Sequence, residues 1–254
     1  MERDVAVAGE RGAARHPAPQ QPFKSIAGLG NVAIAFLTIH VVFDLAAVVV
    51  DWQMLDLVDR VRDGGAVTFE QADAADSRMY WSGILQTAGA LAAAVPFIVW
   101  TRRSYRNLAP LGTRFLRFKP GWAVGGWFVP FLSLARPKAI VNDVWRASDP
   151  ELPPDLPRPP EGVKVPGVVN WWWAMFLAGW WLYPGEVAKG PPPTPAEVAS
   201  DVQRILIADA ILVVAGVLAI LVVRNLSLRQ EQRYARLAAV GATSVAPRPL
   251  PPGL

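Results

Sequence analysis

Thr101-Arg-Arg-Ser-Tyr-Arg-Asn-Leu-Ala-Pro-Leu-Gly-Thr-Arg-Phe-Leu-Arg-Phe-Lys-Pro120 carries six cations and no anion. Uncharged sequence flanks it on both sides, Tyr80–Trp100 before it and Gly121–Ala135 after it. A cationic loop beside an apolar run is what a cytoplasmic loop of a membrane protein looks like, because such loops are enriched in Lys and Arg. The next loop toward the N-terminus, 51–79, has the opposite bias, three basic residues against seven acidic. It is expected on the outside.

Composition agrees. The 254 residues are 52% hydrophobic and 18% charged, with a mean hydropathy of +0.26. A soluble domain carries about 25% charged residues. The net charge of +4 is too small for a nucleic-acid footprint. With no Cys there is no disulfide, thiolate metal site or cysteine nucleophile.

The apolar stretches are 25–50, 80–100, 121–135, 167–183 and 205–223, and the only charged residues inside them are Asp44 and Asp209. A span needs about 20 apolar residues to cross about 30 Å of hydrocarbon. Spans are therefore predicted at 26–50, 80–100, 167–183 and 205–223. The third is short, but Trp171, Trp172, Trp173, Trp180, Trp181 and Tyr183 suit two interfacial belts. Residues 121–135 reach only about 22 Å as a helix, and Pro130 interrupts them. Counting them as a fifth crossing would put the Arg-bearing segment after Val223 outside. The sequence thus predicts an all-α, multi-pass bundle in the cell membrane: four spans as two hairpins, both termini cytoplasmic, and 121–135 an inner-leaflet dip. That dip is either re-entrant or a kinked helix packed at Gly125 and Gly126. The first run is too long for a signal-peptide core, and no A-x-A-like site closes it.

Around the membrane domain 25–240, residues 1–24 and 241–254 are expected to be disordered tails. Asp149–Pro166 has seven prolines in 18 residues and is expected to be a stiff linker between two halves. Residues 137–148 predict an amphipathic helix, with Ile140, Val141, Val144 and Trp145 on one face and Lys138, Asn142 and Arg146 on the other. It either lies on the inner membrane surface or packs under the bundle. Thr68-Phe-Glu-Gln71 and Thr194-Pro-Ala-Glu197 predict capping boxes before the returning spans.

A string of residues resembles a known family. Phe97-Ile-Val-Trp100, Arg103, Arg106-Asn107 and Leu111-Gly112 lead into Phe118-Lys-Pro120-Gly-Trp122. The string continues through Trp127-Phe-Val-Pro130, Arg136-Pro137 and Asp143-Val-Trp145-Arg-Ala-Ser148, and Trp171-Trp172-Trp173 opens the third span. Over 27–235 the chain resembles the bacterial membrane family called domain of unknown function 4328. The resemblance implies a multi-pass membrane domain and brings no activity, ligand or catalytic residue.

Three candidate sites follow from the residues themselves. An ionisable group within a span is a functional hypothesis by default, which selects Asp44, Asp209 and His40, one helical turn from Asp44. By rise per residue Asp44 lies about 9 Å below Val50 and Asp209 about 6 Å below Ile205. They either relay a proton or hold a cation, or they pair with Arg78 and Arg204 at the outer rim and fix helix register. Second, Arg102, Arg103, Arg106, Arg114, Arg117 and Lys119 offer a surface to anionic lipid headgroups or an acidic segment of a partner protein, unless they serve only as the topology signal. Third is the Gly-rich dip itself. One intraspan imidazole with two carboxylates is a poor set for a transition metal. Nucleophile-elbow, P-loop, His-Glu-x-x-His and dinucleotide motifs are all missing, and Gln86, Thr87 and Asn170 add little intramembrane polarity. The expectation is a non-enzymatic, cofactor-free scaffold or regulatory membrane protein. The alternative is a small transporter or ion-coupled permeation protein built on His40, Asp44 and Asp209.

Overall fold

The computed structural model describes residues 16–17, 22–183 and 194–245 and is mostly helical. Four main helices are α1 (Ala27–Arg62), α2 (Phe69–Arg106), α5 (Gly167–Leu182) and α6 (Pro195–Val245). Between α2 and α5 lie the short α3 (Trp122–Gly125), a 3-10 turn (Leu132–Leu134) and α4 (Arg136–Ala147). Among the described residues, three helices are long and apolar enough to cross a membrane: α1, α2 and Pro195–Val240 of α6. The chain therefore reads as a membrane protein. Both capping boxes form. Thr68 N donates to Gln71 Oε1 at 3.0 Å while Gln71 N donates to Thr68 Oγ1 at 3.2 Å. Thr194 N donates to Glu197 Oε2 at 2.8 Å, and Glu197 N returns to Thr194 Oγ1 at 3.3 Å. The helices overrun the predicted spans because α1 and α2 continue well into the acidic 51–79 stretch, leaving only 63–68 between them.

The residues group into two compact units, and these do not follow the two halves expected from the proline-rich segment. One, the bundle unit, combines Leu29–Val99 with Pro166–Arg224; the other, the strap unit, holds Trp100–Val165 with the segment up to Gly28 and that from Asn225 onward. Each thus draws on both ends of the chain.

In the bundle unit, α1 buries Ala33, Leu37, Val41, Asp44, Ala47, Asp51 and Val58. Their steps of three, four and seven keep them on one helical face. The opposite face exposes Val32, Phe36, Ile39, Val42, Leu45 and Val49, an apolar surface suited to lipid rather than water. Small residues bring the helices close. A Cβ on Gly216 of α6 would stand 2.5 Å from Val41 Cγ2 of α1, and one on Gly179 of α5 would stand 2.6 Å from Leu212 of α6. Phe97 and Trp172 pack at 5.7 Å between ring centroids, joining α2 to α5.

In the strap unit, the proline-rich segment is a docked strap, not a free spacer. Thr113 and Leu156 form a parallel bridge. Leu156 N donates to Gly112 O at 2.8 Å and Arg114 N to Leu156 O at 2.8 Å. Proline removes donors but leaves every carbonyl available, and those carbonyls hold the strap. Gly112 has φ +96, and a Cβ there would lie 1.8 Å from Pro154 O. The expected N-terminal tail also differs at its near end. β1 (His16–Pro17) pairs antiparallel with β2 (Phe115–Leu116), Phe23 stacks on Tyr234 at 4.0 Å, and Asn107 Nδ2 donates to Lys24 O at 2.8 Å. α6 runs to Val245, past the start of the C-terminal tail expected at 241, and the rest of both expected tails, with residues 184–193, falls outside the described residues. The stretch 121–135 contains no continuous helix, only one α turn and one 3-10 turn. Phe131 between them takes φ +61, a conformation uncommon for a residue with a Cβ. On α4, Ile140, Val141, Val144 and Ala147 are buried. The apolar face is covered by protein, which favours the packed helix over one lying free on a membrane.

Candidate functional site

Five side chains, His40 and Asp44 of α1, Gln86 of α2, Tyr183 just after α5 and Asp209 of α6, come together in the bundle unit. Asp44 and Asp51 share the buried stripe of α1, two helical turns apart, and Asp209 is buried on α6. Gln86 of α2 connects α1 and α6, its Nε2 donating to Asp209 Oδ2 at 2.8 Å and to Asp44 Oδ1 at 3.4 Å. Tyr183, at the C-terminal end of α5, donates its hydroxyl to Asp209 Oδ1 at 2.5 Å. His40 Nδ1 stands 3.4 Å from Asp44 Oδ1. Two of the carboxyl oxygens, Asp44 Oδ2 and Asp51 Oδ2, are buried without a hydrogen-bond partner among the described residues.

The electrostatics of such a cluster are demanding. Two like unit charges about 4 Å apart repel by about 4 kcal/mol at an effective dielectric of 20. Among the described residues no Lys or Arg forms an ion pair with any of the three carboxyls. Arg204 instead pairs with Asp201 at 3.6 Å. It precedes Asp209 by five residues, which on a helix turns it to another face. Arg78 lines a cavity of about 340 Å³ with Leu57, Arg60, Glu70, Gln71 and Ala74. Neither Arg78 nor Arg204 forms an ion pair with Asp44 or Asp209 among the described residues. Also among the described residues, no group of His, Asp and Glu has the arrangement to hold a metal ion.

Asp51 of the α1 stripe and Tyr183 of the cluster are the residues that counting missed. Asp51 sits at the boundary of an acidic loop and was counted with it; its spacing of seven from Asp44 was the available signal. Tyr183 was assigned to an aromatic belt.

The cations of 101–120 belong to the strap unit apart from this cluster. Arg102, Arg114, Arg117 and Lys119 are exposed, and Arg103 and Arg106 half-buried. Arg114 is paired: its Nε donates to Asp155 Oδ1 at 2.6 Å, which raises the guanidinium and lowers the carboxyl pKa. Phe128 and Phe131, in the same unit, are exposed.

The residues that carry the family resemblance are mainly structural here. Trp100 is buried and its Nε1 donates to Ser227 Oγ at 3.0 Å. Asn107 Nδ2 also donates to Gln230 Oε1 at 3.2 Å. Arg136 stacks over Phe118 at 4.3 Å and Trp122 at 4.9 Å, and Arg229 over Trp145 at 4.5 Å. Pro120 comes two residues before α3, Trp127 is half-buried, Pro130 is exposed, and Pro137 is buried in the first turn of α4. Arg233, which with Arg224, Arg229 and Arg236 reads from the sequence as able to meet anionic headgroups, is placed differently. Its side chain is buried, with guanidinium donors reaching Leu111 O at 2.9 Å, Asp149 O at 2.6 Å and Pro153 O at 3.0 Å. Burial lowers its pKa. Asp143 of α4 is buried as well; burial pushes its carboxyl up to about 6, with Arg117 and Arg146 opposing.

Neither a curated protein nor a solved structure matches the chain. Residues 63–227, which hold the returning helix, the strap and most of both units, do match a family: the chain belongs to the family described as domain of unknown function (DUF4328).

Proposed function

We propose that the chain is a non-enzymatic scaffold or regulatory protein of the bacterial cell membrane whose basic surface holds anionic lipid headgroups. The observation that carries this reading is the exposure, in one compact unit, of Arg102, Arg117 and Lys119 together with the apolar Phe128 and Phe131. Cations beside apolar side chains match the two layers of a headgroup region. In the accompanying topology α5 is a short fourth crossing with Trp171, Trp180 and Trp181 at its ends. Residues 101–120 and both termini are cytoplasmic, and 51–79 and 184–204 lie outside.

Lipid retention tests the binding surface. The chain is purified from mixed phosphatidylglycerol and phosphatidylethanolamine membranes, and its bound lipid is measured by mass spectrometry. Phosphatidylglycerol should be enriched, and Arg102→Gln with Arg117→Gln and Lys119→Gln should remove the enrichment. Unbiased retention by the unmodified chain contradicts the lipid reading, as would capture of an acidic protein by the same three cations. The topology is tested in this Cys-free chain by single cysteines: a cysteine at position 155 labelled from outside the cell contradicts it.

A second reading, an ion-coupled permeation protein, is favoured by one observation: Gln86 links the buried Asp44 and Asp209 across three helices. Asp44→Asn with Asp209→Asn should abolish ion flux into vesicles; unchanged flux removes that reading.

A further inference from the structure

We propose that residues 128–134 form a shallow membrane wedge, a turn that inserts Phe128, Val129, Phe131 and Leu134 at the boundary between headgroups and acyl chains. The run from Pro120 to Ala135, between Lys119 and Arg136, carries no charge. Within it Phe128 is 72% exposed, Phe131 85%, Leu134 47% and Val129 38%. Four apolar side chains displayed on one short turn are penalised by water, and the described residues do not cover them.

The backbone is prepared for such a place. Phe128 N donates to Gly125 O at 3.1 Å, Leu132 N to Pro130 O at 2.7 Å and Ser133 N to Val129 O at 3.0 Å. Leu134 N donates to Phe131 O at 3.3 Å, and Pro130 has no N–H to satisfy. Donors spent inside the turn lower the cost of taking it out of water. Irregular backbone exposed to lipid is not tolerated in the hydrocarbon core, so the insertion is shallow, about 5–10 Å as for other interfacial elements. Phe131 adds a second sign. It takes φ +61, a conformation that glycine adopts freely and a residue with a Cβ rarely does. A ring so exposed gains little packing within the chain to offset that strain; burial beside acyl chains supplies the offset.

The charges select the occupant. Arg117 and Arg136 stand over the Phe118 ring at 5.1 and 4.3 Å, and Arg136 also over Trp122 at 4.9 Å. A Cβ on Gly126 would lie 2.9 Å from Arg136 Cγ. Arg136 therefore closes the base of the turn against the residues that precede it. A cationic base and an uncharged apolar tip follow the order of layers in a leaflet, anionic phosphate first and acyl chain next. The wedge deepens the headgroup reading and rests on it for the choice of leaflet.

Depth-resolved fluorescence quenching of the full chain tests the wedge. Phe131→Cys, in a chain without other cysteines, is labelled with bimane in nanodiscs of phosphatidylglycerol and phosphatidylcholine. Spin labels high on the acyl chain should quench it severalfold more than aqueous iodide or spin labels at the chain end. The same label at Glu161→Cys, an exposed position of the same unit, should be quenched by iodide instead. If Phe131→Cys does not fold, Phe128→Cys takes its place. Stronger quenching of the turn by iodide overturns the proposal. So does shielding from iodide and lipid labels alike, which would place a protein over the turn, and so does strongest quenching from the chain end. Lipid retention separates this inference from the headgroup reading. Acyl-chain quenching in an unmodified chain that retains lipid without bias supports the wedge and removes the headgroup reading. Iodide quenching in a chain that still enriches phosphatidylglycerol overturns the wedge alone.

Discussion

The strap unit and the bundle unit each bury an assembly of polar side chains, and they resolve it in opposite ways. In the strap unit Arg233 is buried with its donors spent on the carbonyls of Leu111, Asp149, Leu152 and Pro153. Gln230 Nε2 donates to Ser104 O at 2.8 Å, and Gln230 Oε1 accepts from Asn107 Nδ2. In the bundle unit Asp44 and Asp209 share one glutamine, one tyrosine and one histidine, and the buried Asp44 Oδ2 and Asp51 Oδ2 are left over. A satisfied buried network rigidifies and specifies a fold; a buried polar atom left without a partner calls for an explanation such as a water, an ion or a catalytic role. The comparison therefore separates the Arg233–Gln230 network from the carboxyl cluster, and not one whole unit from the other, since Thr113 Oγ1, Asp143 Oδ2 and Ser148 Oγ of the strap unit are also buried without a hydrogen-bond partner among the described residues.

The largest effect should come from breaking the strap. Gly112→Ala puts a Cβ 1.8 Å from Pro154 O on a backbone at φ +96. Backbone strain of that kind costs on the order of 1–3 kcal/mol before any clash, so folded protein recovered by gel filtration should fall severalfold. Normal recovery would mean that the strap is not held at Gly112.

Asp143 should give the next largest effect. Its carboxyl is raised to about 6 by burial, above the value of about 3.9 of an unfolded Asp. A folded-state pKa raised in this way gives stability that is present below the unfolded value and lost as pH rises through the folded one. Thermal unfolding of the detergent-solubilised chain should show stability falling between about pH 4 and pH 6, on the order of 2–3 kcal/mol. Asp143→Asn should flatten that profile; an unaltered slope in the variant would locate the titration elsewhere.

The smallest effect belongs to the exposed Arg114–Asp155 pair, which solvent and salt screen. Asp155→Asn should leave the unfolding midpoint nearly unchanged, and any shift should vanish at high salt. A salt-independent loss would show that the strap depends on this pair.

Much of the helical framework was legible in the sequence for physical reasons. A run such as Ile26–Val50 cannot meet water without a penalty, and the capping boxes at Thr68 and Thr194 are set by spacing alone. The strap was not legible, because seven prolines signal missing donors while Arg233, far away in sequence, uses the carbonyls that proline keeps. The division into units was hidden for a related reason: Trp100–Ser227 and Asn107–Gln230 are contacts of long sequence separation. At the candidate site, Asp44 and Asp209 stood out because each is a lone charge in an apolar run. Asp51 is buried by the same helical face, but the helix end that would have revealed this lies inside a stretch dense in charge. Arg78 and Arg204 look like partners because both fall near the outer rim, a reading that does not say which helical face each occupies.

One measurement separates the two assemblies most directly: the unfolding free energy of Arg233→Met set beside that of Asp51→Asn, in the same detergent. Arg233→Met strands several buried carbonyls and should cost about 3 kcal/mol or more. Asp51→Asn removes an ionisable group from a crowded set of carboxyls and should stay within about 1 kcal/mol of the unmodified chain. Equal losses for the two variants would contradict the account, because both assemblies would then be structural.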